Sequence, residues 1–376
     1  MKRVGIITLF YNSLNYGGLL QAYALCNVIE KMGYSVEQVR YDASAGYSLG
    51  HKAKELLKKL VCAFSNIRNF HEEKLMRQGV EERKKKIITF SEKYIPYSAK
   101  LYTPKTFHEV NSEYEIFVAG SDQIWTKYSP VYTLECISKD KRKISYAASI
   151  GRQEFDDETK KLFKKSLESF DNISVREKEA VKIIQECSEQ NVAWVLDPTM
   201  LLKCEDWDEI CTDRIIDSKY LFCYFLGDDI RLRKLAKFYS EEHGLKIVCL
   251  PHLHSKLEKS DIGFGDYQLY DISPADFISL VKYAEIVFTD SFHASVFSGI
   301  YKKEFIVFNR ISAKSMSTRI NSLCELYQCE EHFCDTEDKF SLKYINNLKR
   351  INYESESEQL IGLREVSKVF LQCSFK

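Results

Sequence analysis

The chain has 376 residues and carries 54 Lys plus Arg against 54 Asp plus Glu, a formal net charge of zero. That balance gives no electrostatic argument for a nucleic-acid partner, and the length suits two domains, each able to bury a core. Its twelve cysteines lack C-x-x-C spacing and several sit in apolar runs (Cys26, Cys62, Cys223, Cys249), the pattern of free buried thiols rather than of a disulfide framework.

Met1-Lys-Arg leads straight into the apolar run Val4–Phe10, which reads as a buried strand. A helix is predicted over 19–32. Between the two lies Asn12-Ser-Leu-Asn-Tyr-Gly-Gly18, a loop whose Asn and Gly residues admit a ligand close to the backbone. Further strands are predicted at 36–41, 116–120, 143–148, 172–175, 192–196, 220–226, 246–250, 286–290 and 304–308. Helices are expected near 158–169, 177–188, 230–243, 274–283, 293–300 and 317–327, that near 274 opening on Ser273-Pro274-Ala-Asp276. The alternation predicts an α/β fold with parallel sheets. The expected division is 1–200, then 201–345, then a helical tail 346–376 free to cross back onto the first domain. The turn Asp197 to Asp206 serves as hinge. No apolar run reaches the ~18 residues of a membrane span, and no leader segment is evident, so a cytoplasmic protein is expected.

Residues 51–100 break the alternation with thirteen Lys or Arg against six Glu. Ala53, Leu56, Leu57, Leu60, Val61 and Phe64 share one helical face, with Lys52, Lys54, Lys58 and Lys59 around the other. Two readings fit the 52–64 pattern: a helix on an anionic membrane surface, or one packed on its domain with a solvated lysine face.

The most informative stretch is Ile286-Val-Phe-Thr-Asp-Ser-Phe-His293-Ala-Ser-Val-Phe-Ser-Gly-Ile. It reads as a buried strand, an N-cap at Ser291 and a helix whose first turn holds His293. The carboxyl edge of such a strand is where open α/β sheets bind ligands, and the helix start favours anions. Four other stretches put polar groups at predicted strand ends: Gly-Ser121-Asp122-Gln123-Ile-Trp125, Ser-Tyr-Ala-Ala-Ser-Ile-Gly151, Ser-Val-Arg176-Glu177 and Ser315-Met-Ser-Thr-Arg319.

Six stretches together resemble the polysaccharide pyruvyl transferase family. They are Asn15-Tyr16-Gly17-Gly18-Leu-Leu-Gln21-Ala-Tyr-Ala-Leu, Ala-Gly-Ser-Asp-Gln-Ile-Trp125, Ser-Tyr-Ala-Ala-Ser-Ile-Gly151, Ser-Val-Arg-Glu177, Leu196-Asp197-Pro198-Thr199 and Thr-Asp-Ser-Phe-His-Ala294. The resemblance implies a GT-B-like fold, two Rossmann-like domains facing a cleft. It also implies transfer of a pyruvyl group from phosphoenolpyruvate to a sugar, usually as a cyclic ketal, in building capsular, cell-wall or exopolysaccharide. Phosphoenolpyruvate is then a donor substrate, and no cofactor or metal is expected.

By the same resemblance, Arg176, Ser291, His293 and Arg319 fall on the donor side. His293 is expected to move protons, and Asp122 to stabilise charge or hold the acceptor. Asn15, Tyr16, Gly17, Gly18, Gln21, Ser121, Asp122, Gln123 and Trp125 fall on the acceptor side, with Tyr16 and Trp125 as candidate sugar-stacking rings. Many relatives carry Arg-Leu-His where this chain has Ser291-Phe-His293. A guanidinium is therefore missing there, and Arg319, Arg310 or Lys314 could supply the charge, Arg319 being favoured. The acceptor's carrier stays open; the basic helix leans towards a polyprenyl-linked sugar and a peripheral position at the inner face of the membrane. Two other functions fit the fold: a glycosyltransferase using a nucleotide sugar, and a carbohydrate-binding protein without catalysis. Two clusters raise metal binding as a lesser alternative: His252 with His254, and Cys324, Cys329, His332 and Cys334. The spacing of the second matches no common zinc site.

Overall fold

The computed structural model describes residues 2–46, 70–251, 259–310 and 317–376. The 52–64 segment, His252, His254 and Lys314 lie outside the described residues.

The first half is a parallel sheet of β1 (Arg3–Ile7), β2 (Ser35–Gln38), β3 (Ile116–Ala119) and β4 (Arg142–Ser145), in the order β2-β1-β3-β4. A second parallel pair, β5 (Ile173–Val175) and β6 (Val192–Trp194), continues it through bridges from Ile144 to Asn172 and from Ala148 to Val175. The strands of β3 to β5 are buried on both faces, as apolar runs covered by helices require. The second half is a six-stranded parallel sheet, β12-β11-β10-β7-β8-β9, built from β7 (Tyr220–Tyr224), β8 (Lys246–Cys249), β9 (Tyr267–Gln268), β10 (Ile286–Thr289), β11 (Glu304–Phe308) and β12 (Phe333–Cys334).

Eleven α-helices cover the described parts of these sheets: α1 (Tyr16–Lys31), α2 (Phe70–Tyr94), α3 (Asp157–Leu167), α4 (Lys178–Gln185), α5 (Cys204–Asp208), α6 (Ile230–His243), α7 (Pro274–Lys282), α8 (Phe292–Ile300), α9 (Ser317–Tyr327), α10 (Leu342–Asn346) and α11 (Glu358–Phe375). The start of α7 is a capping box: Ser273 Oγ accepts from Asp276 N at 3.1 Å, and Asp276 Oδ2 accepts from Ser273 N at 2.9 Å. No helix among the described residues is long and apolar enough to cross a membrane.

The first helix departs from expectation. It begins at Tyr16 rather than 19, because Asn15 caps it by accepting from Gly17 N at 3.0 Å. Gly17 and Gly18 therefore lie in its first turn, not in a loop.

Two segments tie the halves together. Helix α2 leaves the first sheet between β2 and β3 and lodges on the second half. There the buried guanidinium of Arg83 donates to the carbonyls of Tyr270 (2.8 Å), Pro251 (3.3 Å) and Leu269 (3.3 Å). Arg83→Met is expected to lower unfolding free energy by about 2–3 kcal/mol, since one buried and two part-buried carbonyls lose a charged donor; a urea midpoint equal to wild type would contradict this. Helix α11 returns to the first sheet. Leu196 N donates to Ser367 Oγ at 2.9 Å, Arg142 Nη1 donates to the carbonyl of Ser374 at 3.2 Å, and the Phe375 ring lies 4.9 Å from that of Tyr34. An apolar core also runs across the junction, bringing Leu20, Met200 and Trp207 together with Phe277 and Phe297.

Candidate active site

The strand ends of the two sheets converge on one buried cluster of charge. From the first half come Asp122 after β3, Arg176 and Glu177 after β5, and Asp197 after β6. From the second come Phe292 and His293 at the start of α8 and Arg319 in the first turn of α9. Every one of these is at most 7% exposed. Charges so deep in a protein persist only where partners or hydrogen bonds hold them.

Asp197 is the hub. Its Oδ1 accepts from Thr199 N (3.0 Å) and Thr199 Oγ1 (2.7 Å). Its Oδ2 accepts from Arg176 Nη1 at 2.6 Å, lies 3.2 Å from Ser121 Oγ and stands 3.7 Å from His293 Nε2. The last distance is long for a direct hydrogen bond, and Nε2 has no other partner. Burial pushes the Asp197 carboxyl upward, but the His293 imidazole, the Arg176 guanidinium and Thr199 outweigh it and hold the group well below the usual carboxylate range.

Arg176 is the cationic counterpart. Burial opposes its charge, yet Asp197, Glu177 and Asp122 together raise its pKa. Only Nη1 is hydrogen-bonded; Nε and Nη2 have no partner, with Glu177 Oε1 and Asp122 Oδ1 each 3.9 Å away. Glu177 takes a short hydrogen bond from Ser149 Oγ, and its Oε2 is buried without a donor. Arg319 is more exposed to penalty than either. Burial first, then the charge of Arg176, pushes its guanidinium down to about 10. Among the described residues no carboxylate pairs with it, and its Nε is unpartnered. Both guanidiniums contact one ring: Cζ of Arg176 is 4.5 Å and Cζ of Arg319 is 5.7 Å from the centroid of Phe292. Beside them a cavity of about 10 Å³, room for a single water-sized group, is lined by Phe292, Arg310, Ser317 and Arg319.

The expected residues divide sharply. Arg176, His293 and Ser121 come together around Asp197, with Asp122 beside Arg176 and Arg319 across the Phe292 ring. Ser291 is close by, but its hydroxyl caps α8, accepting from Ala294 N at 3.5 Å. Gly17 faces His293 directly: a Cβ built on it would fall 2.1 Å from Nδ1. Gly18 lies against Asp122, whose Oδ2 would be 3.4 Å from such a Cβ. Asn15 is the exposed cap of α1. Gln21 donates from Nε2 to Gly18 O at 2.8 Å, and half-buried Gln123 packs against Gly151.

Two stacking roles need correction. Trp125 is fully buried, its Nε1 donates to Tyr132 O, and its ring packs edge-on against Phe163 and Phe170. Tyr16 stacks on Phe277 at 5.2 Å, and its hydroxyl donates to Ile272 O at 2.8 Å across the junction. Both rings are spent on packing, and neither face is open to a sugar. Arg310 pairs with Asp290, Nε to Oδ2 at 3.2 Å, while Asp290 also accepts from Leu226 N and Gly227 N. Its charge is thus committed to bracing a loop, whereas Arg319 has no paired carboxylate among the described residues. In the cysteine cluster, Cys324 and Cys329 are free thiols that hydrogen-bond to one another, and His332 Nε2 lies 3.6 Å from Glu304 Oε2. Among the described residues no group of three or more His, Cys, Asp or Glu side chains is arranged to hold a metal.

Sequence reasoning passed over Asp197, Glu177 and Phe292 as site residues. Asp197 had a usable signal: an Asp two residues before Thr at the end of a buried strand folds its own backbone into a turn and presents a fixed carboxylate.

Comparison with known proteins agrees with the architecture. The model of a family described as polysaccharide pyruvyl transferase matches residues 15–312. The structure of UDP-GlcNAc 2-epimerase from Methanocaldococcus jannaschii is similar over 99% of both chains, with a TM-score of 0.52 at 11% identity. The same enzyme in complex with UDP-GlcNAc and UDP is similar over 98% of this chain and 99% of its own, with a TM-score of 0.52 at 13% identity. Such likeness shows the fold, two Rossmann-like halves in the GT-B arrangement, and nothing finer. No curated protein sequence matches the chain.

Proposed function

The chain belongs to the polysaccharide pyruvyl transferase family, and from that premise we propose that it moves the pyruvyl group of phosphoenolpyruvate onto two hydroxyls of a sugar, forming a ketal. The observation that carries this reading is the pair of buried guanidiniums on the Phe292 ring, one whose Nε and Nη2 lack hydrogen-bond partners and the other with no paired carboxylate among the described residues. A carboxylate and a phosphate on one small molecule answer both.

The donor enters between Arg176 and Arg319 as the halves part, since the closed site has room only for a water-sized group, and it places its reacting carbons at His293. An acceptor hydroxyl adds across the enol double bond: its oxygen bonds to C2 and the methylene carbon gains a proton. The second hydroxyl then displaces phosphate from C2, and its proton leaves with the phosphate. Atoms and charge balance without a cofactor. Asp122, beside Gly18 at the start of α1, faces the acceptor and stabilises positive character at C2. Ser121, Gly17 and Gly18 shape that side. The sugar is carried on a polyprenyl lipid in this reading, for which the lysines of 52–59 supply the support.

Incubation with phosphoenolpyruvate and a panel of free, nucleotide-linked and polyprenyl-linked sugars should release phosphate and add one pyruvyl mass to one of them. Stabilisation by nucleotide-diphosphate sugars with none by phosphoenolpyruvate would favour the glycosyltransferase reading.

Arg319→Met is expected to weaken phosphoenolpyruvate binding by roughly 10- to 100-fold, the loss of one or two charge-assisted hydrogen bonds. Thermal stability should hold or rise, because an unpaired buried cation is removed. Unchanged donor affinity by calorimetry would exclude Arg319 as the replacement for the guanidinium that relatives carry beside their histidine.

A further inference from the structure

The His293 ring sits between two features that bias its proton in the same direction. On one side, Nε2 faces Oδ2 of Asp197 at 3.7 Å and has no other partner. That carboxylate is fully buried and stays ionised. On the other side, Nδ1 lies against Gly17 in the first turn of α1. The first intrahelical bond there runs from Leu19 N to Asn15 O, so Tyr16 and Gly18 have N–H groups that precede the ladder. Nδ1 therefore meets the positive end of a 16-residue helix. A proton on Nε2 is attracted by its surroundings, whereas one on Nδ1 is repelled.

We infer that Asp197 is the positioning residue of His293: it fixes the Nε2–H tautomer and leaves the basic lone pair on Nδ1, on the acceptor side of the site. Asp197 does not itself meet substrate. Its Oδ1 is filled by Thr199, and its Oδ2 by Arg176 and Ser121. The other carboxylates of the cluster, Asp122 and Glu177, stand against Arg176 rather than against the ring, and Arg319 lies over Phe292. The arrangement also explains why one carboxylate serves both halves. Arg176 fixes it from the first half, and His293 reaches it from the second.

The chemical meaning rests on the pyruvyl-transfer reading. Nδ1 takes the proton of the acceptor hydroxyl. The imidazolium so formed carries N–H on both nitrogens and is stabilised by Asp197. It then gives the Nδ1 proton to the methylene carbon; as positive character develops at C2 the acceptor oxygen bonds there, and the ring returns to the Nε2–H form. The addition of O–H across the double bond is complete, with no proton gained or lost.

The tautomer is read without substrate. In full-length protein labelled with ¹⁵N-histidine, His293→Asn identifies the His293 resonances among the eight histidines. In its neutral form the wild-type ring should show Nε2 protonated and Nδ1 bare. Asp197→Asn, whose amide can donate towards Nε2, should move the proton to Nδ1 and lower turnover by about 10²–10³-fold. A wild-type Nδ1–H tautomer overturns the inference, and so does a folded Asp197→Asn protein with wild-type tautomer and turnover. Should that variant not fold, the wild-type spectrum still decides. An Nε2–H tautomer in a protein that transfers no pyruvyl group would sink the reaction and leave the positioning role standing.

Discussion

Arg176→Ala should lose both activity and a large part of the fold's stability. The side chain is the closest cationic partner of Asp197, and its removal strands a carboxylate that is fully buried. Breaking one partner of such a pair typically costs about 3–5 kcal/mol, whereas replacing both by apolar groups can be neutral. Arg176→Ala should therefore unfold at much lower urea, and Arg176→Met with Asp197→Leu should recover part of that loss while remaining inactive. The acid limb gives an independent check. Asp197 titrates lower in the folded chain than the ~3.9 of an unfolded Asp. Its contribution is thus present above about pH 4 and is lost progressively as the pH falls. Without Arg176 the folded value moves back towards the unfolded one, and the stability profile below pH 4 should flatten. Wild-type stability with abolished phosphoenolpyruvate binding would show that Arg176 serves the donor alone.

Gly17→Ala is the smallest substitution with a large expected effect. The added methyl would stand 2.1 Å from His293 Nδ1 and 2.4 Å from its Cγ, closer than side chains approach one another. The ring must move. Alanine favours the helix over glycine by about 1 kcal/mol, while overpacking costs about 1–3 kcal/mol, so net stability should change little. Turnover should fall by roughly 10²-fold or more, because a displacement near 1 Å at a reacting group has that consequence. A fully active, normally stable Gly17→Ala protein would mean that the imidazole works from another position.

Much of this architecture is legible in the sequence because parallel strands buried on both faces are continuous apolar runs. Ile286–Thr289 and Glu304–Phe308 are strands for that reason, and Ser273-Pro274-Ala-Asp276 announces its helix through chemistry contained in four residues. Strands β9 and β12 have two residues each, too few to carry a period. Tyr16 and Trp125 were misplaced because an aromatic ring near a strand end looks the same in sequence whether it faces a cleft or a neighbouring element. Asp197 is harder still: its partners Arg176 and Ser121 lie 21 and 76 residues away in the chain. A carboxylate whose importance comes from who surrounds it leaves only a local turn as its trace.

The return of α11 to the first sheet has a mechanical consequence. The backbone passes between the halves near Pro198–Leu202 and again before Glu358, and Leu196, in the very strand end that leads to Asp197, is tied to Ser367 of the returning helix. Together with α2, docked on the second half through Arg83, these two crossings resist twisting and sliding of the halves, so any opening has to loosen the Arg83 contacts as well. Any separation of the halves that admits a sugar would then carry His293 and Arg319 with the second half, and would bring the imidazole back to the same carboxylate each time the jaw shuts.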